Sequence, residues 1–268
     1  MNNVNKTLYI PLYGKAYASR KGLFLRDSKA EEIWAAEGFE LRGKAKSKWL
    51  AYYMGIRAAV FDHWVKEQTA CRKDTAVLHI GCGLDSRILR VNTPNCKWYD
   101  IDFPDVITER RRHFEETERY RMIEGDIRYA AFLNLIPETD RAVVVMEGVS
   151  MYLTADELRA FTDALSAHFK HVSLLTDSYS VLAAKLSKYR NPINTVGVTE
   201  VYGTDDPKAF ETHTLRFIKE HDTTPEIYLG ELHGFEKKIF KKLYAGNFSK
   251  KLYRLFEYGS RNRTEDTE

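Results

Sequence analysis

The stretch VLHIGCGLDSRILRV, residues 77–91, joins an apolar run to two closely spaced glycines and then to a helical pattern. An apolar run of this length is typical of a strand buried in a sheet. Gly81 and Gly83 are therefore predicted to lie at the carboxyl end of a strand, where open α/β sheets bind their ligands. Glycine permits a tight turn there and lets backbone N–H groups approach a ligand closely.

Five short apolar runs, separated by helical patterns, predict a parallel sheet with right-handed crossovers. Pro104 stands where a proline opens a helix, and Thr154 with Glu157 forms a capping box. The runs are AVLHI at 76–80, KWYDI at 97–101, YRMIE at 120–124, RAVVVME at 141–147 and HVSLLTD at 171–177. Residues 76–177 therefore read as five strand–helix units of a doubly wound core that binds a cofactor.

The whole chain, 1–268, is interpreted as one domain in four parts. Residues 1–75 read as a helical N-terminal lid segment, with a capping box at Ser28 and Glu31 and helical spacing of apolar residues over 44–68. The cofactor-binding core at 76–177 follows this segment.

The strand pattern is lost over residues 178–233, which predicts a lid-like insertion on the substrate side. Over 234–268, Phe235, Ile239 and Leu243 have helical spacing, whereas KLYRLFEY alternates like a final strand, and the last residues are expected to be frayed.

Composition excludes several classes of protein. The net charge of +3 gives no support for nucleic acid or a membrane as a main partner, and no apolar run is long enough to span a bilayer. The N-terminus lacks the pattern of a signal peptide. Cys71, Cys82 and Cys96 have no C-x-x-C spacing, so we expect free thiols and no metal site. These features predict a cytoplasmic protein, and they leave its oligomeric state open.

Asp102 identifies the class of cofactor. It ends the second predicted strand, about 20 positions after the first glycine, where a carboxylate holds the hydroxyls of a nucleoside ribose. A dinucleotide fingerprint needs a third glycine, but Ser86 occupies that place. The neighbouring Asp85 would repel a pyrophosphate, whereas it could bind an ammonium group. S-adenosylmethionine carries an ammonium, a carboxylate and a sulfonium but no phosphate, so it fits better than NAD or FAD.

Six motifs stand in order along the chain. They are PLYGKAYASRKGLFLRDSKA at 11–30, IRAAVFD at 56–62, GCGLDSR at 81–87, YDIDFPDV at 99–106, EGDIR at 124–128 and MEGVSMYL at 146–153. The set resembles the motifs of the leucine carboxyl methyltransferase-like family, in particular its bacterial branch, which is related to polyketide (tetracenomycin-type) O-methyltransferases. The resemblance fades after about residue 180.

This resemblance implies a class I methyltransferase fold, a Rossmann-like sheet of seven strands of which one is antiparallel. It implies S-adenosylmethionine as cofactor and S-adenosylhomocysteine as product. By position in the motifs, Arg57 would pair with the methionine carboxylate and Glu147 would lie near the α-amino group. Gly81 and Gly83 would lie along the methionyl–ribose part of the cofactor, and Asp102 would bind the ribose hydroxyls. Asp126 and the backbone of Ile127 would read the adenine.

Structural roles compete with some of these assignments. Arg57 could pair with Asp62 or Glu67, and Asp126 could cap a helix. Glu147 could be purely structural, and Asp85 could serve the turn alone. His79, inside the first strand, is expected to be a packed core histidine, and we prefer Asp102 to Asp100 as the ribose ligand.

The predicted activity is O-methylation of a hydroxyl or carboxylate on a small molecule, with a polyketide-like acceptor as one candidate. The alternatives are carboxyl methylation of a protein or peptide C-terminus, and a non-catalytic nucleoside-binding protein on the same fold. A hydrolase is disfavoured because GVSMY at 148–152 lacks the second glycine of a nucleophile elbow. No motif fixes a catalytic base. The candidates on the substrate side are Tyr13, Tyr17, Tyr152, Tyr179 and His213.

Overall fold

A seven-stranded sheet forms the centre of this computed structural model, which describes residues 8–37, 41, 43–70, 72, 74–190 and 201–260. The strands are β1 (Thr75–Ile80), β2 (Cys96–Asp102), β3 (Tyr120–Glu124), β4 (Arg141–Met146), β5 (His171–Tyr179), β6 (Leu215–His221) and β7 (Tyr253–Ser260). They are arranged in the order β3-β2-β1-β4-β5-β7-β6. Neighbours from β3 to β5 are parallel, and β7 is antiparallel to both β5 and β6. The predicted fold class is therefore confirmed.

Ten α-helices surround this sheet in the described part of the chain. They are α1 (Tyr9–Arg20), α2 (Ser28–Glu37), α3 (Lys48–Thr69), α4 (Arg87–Val91), α5 (Pro104–Arg110), α6 (Ala155–His168), α7 (Val181–Arg190), α8 (Glu226–Leu229), α9 (Gly234–Tyr244) and α10 (Asn247–Leu252). Pro104 opens α5, and the capping box of Thr154 and Glu157 opens α6, as predicted.

The two faces of the sheet pack against different helices because successive side chains of a strand point in opposite directions. Val77 of β1 belongs to the apolar cluster that contains Phe61 of α3, whereas Leu78 belongs to the cluster that contains Phe161 of α6. All six residues of β1 are buried. A strand covered on both faces gains from an apolar side chain at nearly every position, which is why the central strands were readable as continuous apolar runs.

The start of α2 differs from the predicted capping box at Ser28 and Glu31. The carboxylate of Asp27 accepts the N–H of Ala30 at 2.9 Å, so Asp27 caps the helix. Glu31 instead accepts a hydrogen bond from the Ser19 hydroxyl of α1 at 2.5 Å. The two candidate caps are adjacent in sequence, and the tertiary contact between α1 and α2 selects Asp27.

Residues 178–233 contain more regular structure than predicted, because β6 lies inside this region and forms the edge of the sheet. Only Leu215 of this strand is fully buried, and a register irregularity interrupts its pairing between Phe217 and Lys219. An edge strand with one exposed face carries charged residues, so its pattern resembled a loop. The alternating KLYRLFEY segment does contribute the last strand, β7.

Three of the sequence-based expectations fall outside the described residues. They concern Cys71, residues 191–200 of the predicted insertion, and the tail beyond Ser260. Cys82 and Cys96 are buried free thiols, as expected.

Candidate functional site

The register of the sheet brings four strand ends into one row. Ile80 of β1 is level with Ile101 of β2 and with Met146 of β4, and Met146 is level with Thr176 of β5. The residue that follows each of these four along the chain lies at the carboxyl edge of the sheet. These residues are Gly81, Asp102, Glu147 and Asp177.

Both glycines of the turn after β1 have left-handed backbone conformations, with φ of +64° at Gly81 and +51° at Gly83. A Cβ atom at Gly81 would lie 2.3 Å from a methyl carbon of Val149, and one at Gly83 would lie 3.0 Å from Leu8. Only glycine meets both requirements at position 81 without strain. Glycine at both positions therefore lets the side chains of Val149 and Leu8 pack directly against the backbone of the turn.

Asp102 closes this turn from the neighbouring strand. One carboxylate oxygen accepts the N–H of Gly83 and the other accepts the N–H of Phe103, both at 2.8 Å. Burial raises the pKa of Asp102 to about 6, even though both N–H groups favour its ionised form. Each oxygen retains a lone pair for a further donor.

Arg57 of α3 lies beside Glu147 at the centre of the row. Its Nε donates to Glu147 at 2.8 Å and its Nη1 donates to the Tyr253 hydroxyl at 2.6 Å. Burial alone would raise the pKa of Glu147, but Arg57 and Arg87 outweigh this effect and lower the pKa to about 2. Arg57 thus pairs with Glu147, whereas Asp62 pairs with Arg87.

A buried charge cluster extends from Arg57 to the N-terminal helices. Asp85 contacts Lys15 of α1 at 3.0 Å and Arg90 at 2.7 Å. Burial opposes the ionisation of Asp85, but the nearby cations hold its pKa well below the usual value. We define the charge cluster as Lys15, Asp27, Arg57, Asp62, Asp85, Arg87, Arg90, Glu147 and Asp177, which are linked by ion pairs.

Asp177 lies at the end of β5 and is fully buried. It accepts the N–H of Gly148 at 2.7 Å and the hydroxyl of Tyr253, and its carboxylate lies 3.6 Å from Arg57. Burial raises the pKa of Asp177 to about 6, against the opposing effects of Arg57 and Tyr253. This carboxylate joins the turn after β4 to the start of β7.

His79 and Asp100 form a second polar group beneath the turn. His79 is 2 % exposed and lies between Asp100, 3.2 Å from Nδ1, and Arg87, 3.0 Å from Nε2. Burial lowers the pKa of His79, which keeps its ring neutral. Asp100 is fully buried and accepts hydrogen bonds from Arg110 and Tyr120. Its oxygens are committed within the protein, which supports the preference for Asp102 as a ligand.

A cleft of about 380 Å³ opens above Gly81, Gly83, Arg57 and Glu147. Its walls come from α1, α3, α9, α10, the loops after β1 and β4, the last residue of β5 and the first residue of β7. Apart from the polar groups near the turn, the lining is largely aliphatic and aromatic. This lining comprises Leu8, Ile10, Pro11, Leu12, Leu50, Tyr53, Met54, Met151, Tyr152, Tyr179, Leu243, Tyr244, Leu252 and Tyr253.

The candidate substrate-side residues differ in whether they line the cleft. Tyr152 and Tyr179 line the cleft, and burial raises the pKa of the Tyr152 phenol. Tyr17 instead packs against Tyr13 and Tyr52, with ring centroids 5.7 and 5.9 Å away. His213 is exposed in the loop before β6. Within the described chain, only Tyr152 and Tyr179 of the original five candidates line the cleft.

Comparisons with known proteins agree with this geometry. The sequence profile of the family described as "Leucine carboxyl methyltransferase" matches residues 11–166, which is more than half of the chain. The chain belongs to the leucine carboxyl methyltransferase family. It is accordingly a methyltransferase that uses S-adenosylmethionine, as the sequence motifs predicted.

Two curated relatives match nearly full length. The tetracenomycin polyketide synthesis O-methyltransferase TcmP of Streptomyces glaucescens is 28% identical over 243 residues, covering 89% of this chain and 90% of that protein. The S-adenosyl-L-methionine-dependent methyltransferase dpfgK of Gibberella zeae is also 28% identical, over 269 residues, with the same two coverages.

Solved structures share the fold at low sequence identity. The magnesium protoporphyrin IX methyltransferase ChlM of Synechocystis PCC 6803, solved with bound SAH, superposes with a TM-score of 0.53 at 13% identity, covering 88% of this chain and 95% of that one. The plantazolicin methyltransferase BamL, solved with SAH and a substrate analogue, gives a TM-score of 0.52 at 9% identity, covering 97% and 98%.

The residues at the row of strand ends fit the methyl donor of this family. Gly81 and Gly83 line the cleft with backbone atoms alone, where a ligand can approach their N–H groups closely. The hydrogen bonds of Arg57 within the described residues use Nε and Nη1, so Nη2 is available to a carboxylate.

The loop that contains Asp126 and Ile127 is held by its own hydrogen bonds. The carboxylate of Asp126 accepts hydrogen bonds from the backbone N–H of Arg128 and from its guanidinium, each at 3.0 Å. Asp126 thus stabilises the loop in which it lies. This role is structural, like the helix-capping role that the sequence left open as an alternative. Gly125 donates to the Asp102 carbonyl at 2.9 Å, so this loop is adjacent to Asp102.

Sequence reasoning missed three polar groups at the site: Lys15, Asp177 and Tyr253. Asp177 had a signal in the sequence, because it ends the apolar run 171–177 as Glu147 ends the run 141–147. Lys15 and Tyr253 had none, since their positions depend on how α1 docks and where β7 enters the sheet. No cluster of His, Cys, Asp or Glu suited to a metal ion occurs among the described residues, and none of the described helices is long and apolar enough to cross a membrane.

Proposed function

We propose that this protein is an O-methyltransferase whose acceptor is a hydroxyl or carboxylate on a small, largely apolar molecule of polyketide-like character. The single observation that carries the proposal is the apolar and aromatic wall that faces the glycine turn across one continuous cleft. Pockets of this size and composition suit small molecules, with a few polar groups to orient them. The tetracenomycin relative, named for polyketide synthesis, supports the same class of acceptor.

We further propose cofactor roles for the residues at the row of strand ends. Asp102 holds the ribose hydroxyls, Arg57 binds the methionine carboxylate through Nη2, and Glu147 holds Arg57 in place and lies near the α-amino group. Gly81 and Gly83 allow close approach of the backbone. Asp126 and Ile127 receive the adenine, which requires Asp126 to release part of its contact with Arg128.

When bound, the cofactor supplies an electrophilic methyl group on a sulfonium, and the neutral thioether leaves without protonation. The chain's own contribution is therefore positioning and the exclusion of water. A carboxylate acceptor is already ionised at neutral pH and needs no base. Tyr152 lines the cleft, and its raised pKa keeps the phenol protonated at neutral pH, so we assign it the role of a hydrogen-bond donor that orients the acceptor.

The alternative, methylation of a peptide C-terminus, is less well supported by the cleft. A peptide carboxylate needs a cation that is free to pair with it. Lys15 and Arg57 are the cations that line the described cleft. Lys15 pairs with Asp85, and we assign the Nη2 of Arg57 to the methionine carboxylate, so neither is left for a peptide carboxylate. The relatives do not distinguish a hydroxyl from a carboxylate acceptor on a small molecule.

The experiment measures transfer of labelled methyl from S-adenosylmethionine to three probes: a polycyclic phenol, an aromatic carboxylic acid and a short peptide ending in a free leucine carboxylate. We expect label in one or both aromatic probes and none in the peptide. Mild base releases methanol from an ester but not from an ether, so it identifies the acceptor group. Label in the peptide alone would overturn the proposal.

A matched pair of variants locates the acceptor site. Tyr152→Phe removes a hydroxyl from the cleft, whereas Tyr129→Phe removes one from a side chain that is 72% exposed. We expect the first to reduce transfer about tenfold, consistent with one lost hydrogen bond, and the second to have no effect. Equal rates in both variants would contradict the role of Tyr152.

A further inference from the structure

The outer face of helices α8 to α10 carries large apolar side chains that the fold does not cover. Phe235 is 76% exposed, Ile227 75%, Phe248 63% and Leu243 47%. The helical spacing of Phe235, Ile239 and Leu243 was readable from the sequence, but α9 docks through a different side. Its fully buried residue is Phe240, which contacts Tyr52 and Tyr244.

Lysines surround these apolar side chains. Lys237 and Lys241 both pair with Glu226, and Lys250 pairs with Asp222. Three more lysines are exposed and pair with no carboxylate of the described chain: Lys238, Lys242 and Lys251. We call this surface the basic apolar face, composed of Ile227, Phe235, Lys238, Ile239, Lys242, Leu243, Phe248 and Lys251.

The basic apolar face also borders the cleft. Leu243 belongs to both, and Tyr244, Ser249 and Leu252 of the same two helices line the cleft. An apolar molecule held against the face would therefore meet continuous apolar surface as it moved inward. The small net charge of the whole chain conceals this local concentration of lysine.

We propose that the basic apolar face docks this protein on an anionic lipid surface, with the mouth of the cleft close to the lipid. Exposed phenylalanine and leucine beside unpaired lysines is the pattern of helices that lie in a membrane interface without crossing it. The apolar side chains enter the headgroup region, and the lysines meet anionic headgroups. A second copy of this chain is a poorer occupant, because it would bring like charges together.

The test measures sedimentation of the full chain with phosphatidylcholine vesicles and with mixed phosphatidylcholine–phosphatidylglycerol vesicles. We expect binding to the mixed vesicles, weakened by salt, and little binding to phosphatidylcholine alone. Lys238→Glu with Lys242→Glu should weaken binding to the mixed vesicles on the order of tenfold or more. The matched control reverses two exposed lysines elsewhere, Lys66 and Lys97, and should bind like the wild type.

A second pair of variants tests the apolar contribution. Phe235→Ser with Phe248→Ser should abolish most binding, whereas Leu89→Ser with Leu135→Ser should not, although Leu89 is 58% and Leu135 67% exposed. Melting curves of all variants check that each is folded.

Three results would overturn the proposal. In the first, the wild-type protein stays in the supernatant with both vesicle types. In the second, the control variants lose as much vesicle binding as the variants of the basic apolar face. In the third, the protein binds polyglutamate but not vesicles. Sedimentation equilibrium would assign the face to a second copy of this chain if the wild type dimerises, the phenylalanine variants do not, and no vesicle binding is seen. Methyl transfer to soluble probes is measured separately, so this outcome does not bear on the proposed activity.

Discussion

Replacing Asp102 by alanine tests the proposed cofactor site most directly. The substitution removes the carboxylate that would accept two ribose hydroxyls, while the turn at Gly81 and Gly83 remains. A hydrogen bond to a charged group contributes about 1.5–3 kcal/mol, so the loss of two should cost about 3 kcal/mol or more. This corresponds to affinity weakened on the order of 100-fold or more.

The folded protein should tolerate this change at neutral pH. Asp102→Ala leaves the N–H groups of Gly83 and Phe103 without their acceptor, which costs about 1–3 kcal/mol for each group that stays buried. It also removes a carboxylate whose pKa is raised to about 6 in the folded state. A raised carboxyl pKa destabilises the fold increasingly between about pH 4 and pH 6 and by at most about 3 kcal/mol above it. The two effects oppose each other.

The assay is calorimetric titration with S-adenosylhomocysteine, with melting curves as a check on folding. The matched control is Asp140→Ala, which removes an exposed carboxylate paired with Lys170. The wild-type affinity should also fall as the pH drops below about 6, by up to about tenfold per pH unit, because the ligand selects the ionised form. Unchanged affinity in Asp102→Ala, or a pH-independent wild type, would refute the assignment of the ribose to this carboxylate.

Three further substitutions test the elements around the site. Gly81→Ala should lower the free energy of unfolding by more than about 2 kcal/mol in denaturant titration, whereas Gly234→Ala, where φ is +53° and the space is open, should cost only about 1 kcal/mol. Tyr253→Phe removes the hydroxyl that donates to Asp177 and should cost about 1–3 kcal/mol; an unchanged melting temperature would contradict that contact. Glu147→Gln should reduce the fall in the free energy of unfolding that the wild type shows at acid pH. The lowered pKa of Glu147 gives stability that is complete above about pH 4.5 and lost as the pH falls towards about 2, so a variant with the wild-type pH profile would show that this pair contributes nothing.

The central strands and the acidic residues at their ends could be predicted from the sequence because both follow from the burial of these strands on two faces. A strand covered on two faces must be apolar throughout, so β1 and β4 stood out as runs. A carboxylate directly after such a run must reach the open edge of the sheet, as Asp102 and Glu147 do. The exposed edge strand β6 lacks that requirement, and its charged residues resembled a loop.

Contacts between distant segments were beyond such reasoning. Lys15 reaches Asp85 only because α1 packs across α3, and no local pattern encodes that packing angle. The outward direction of Phe235 and Leu243 was equally hidden, since helical spacing predicts an apolar stripe but not which stripe docks. Asp27, not Ser28, caps α2 for a similar reason: the bond from Ser19 to Glu31 sets the start of the helix.

The charge cluster gives a physical reason for preferring the methyl donor to its product. It contains four cations and five carboxylates, which leaves a formal excess of one negative charge when all are ionised. Such a buried excess is unfavourable by itself. S-adenosylmethionine carries a net positive charge near neutral pH, whereas S-adenosylhomocysteine is neutral overall. We therefore expect S-adenosylmethionine to bind more tightly than S-adenosylhomocysteine, and calorimetric titration with each ligand would measure the difference.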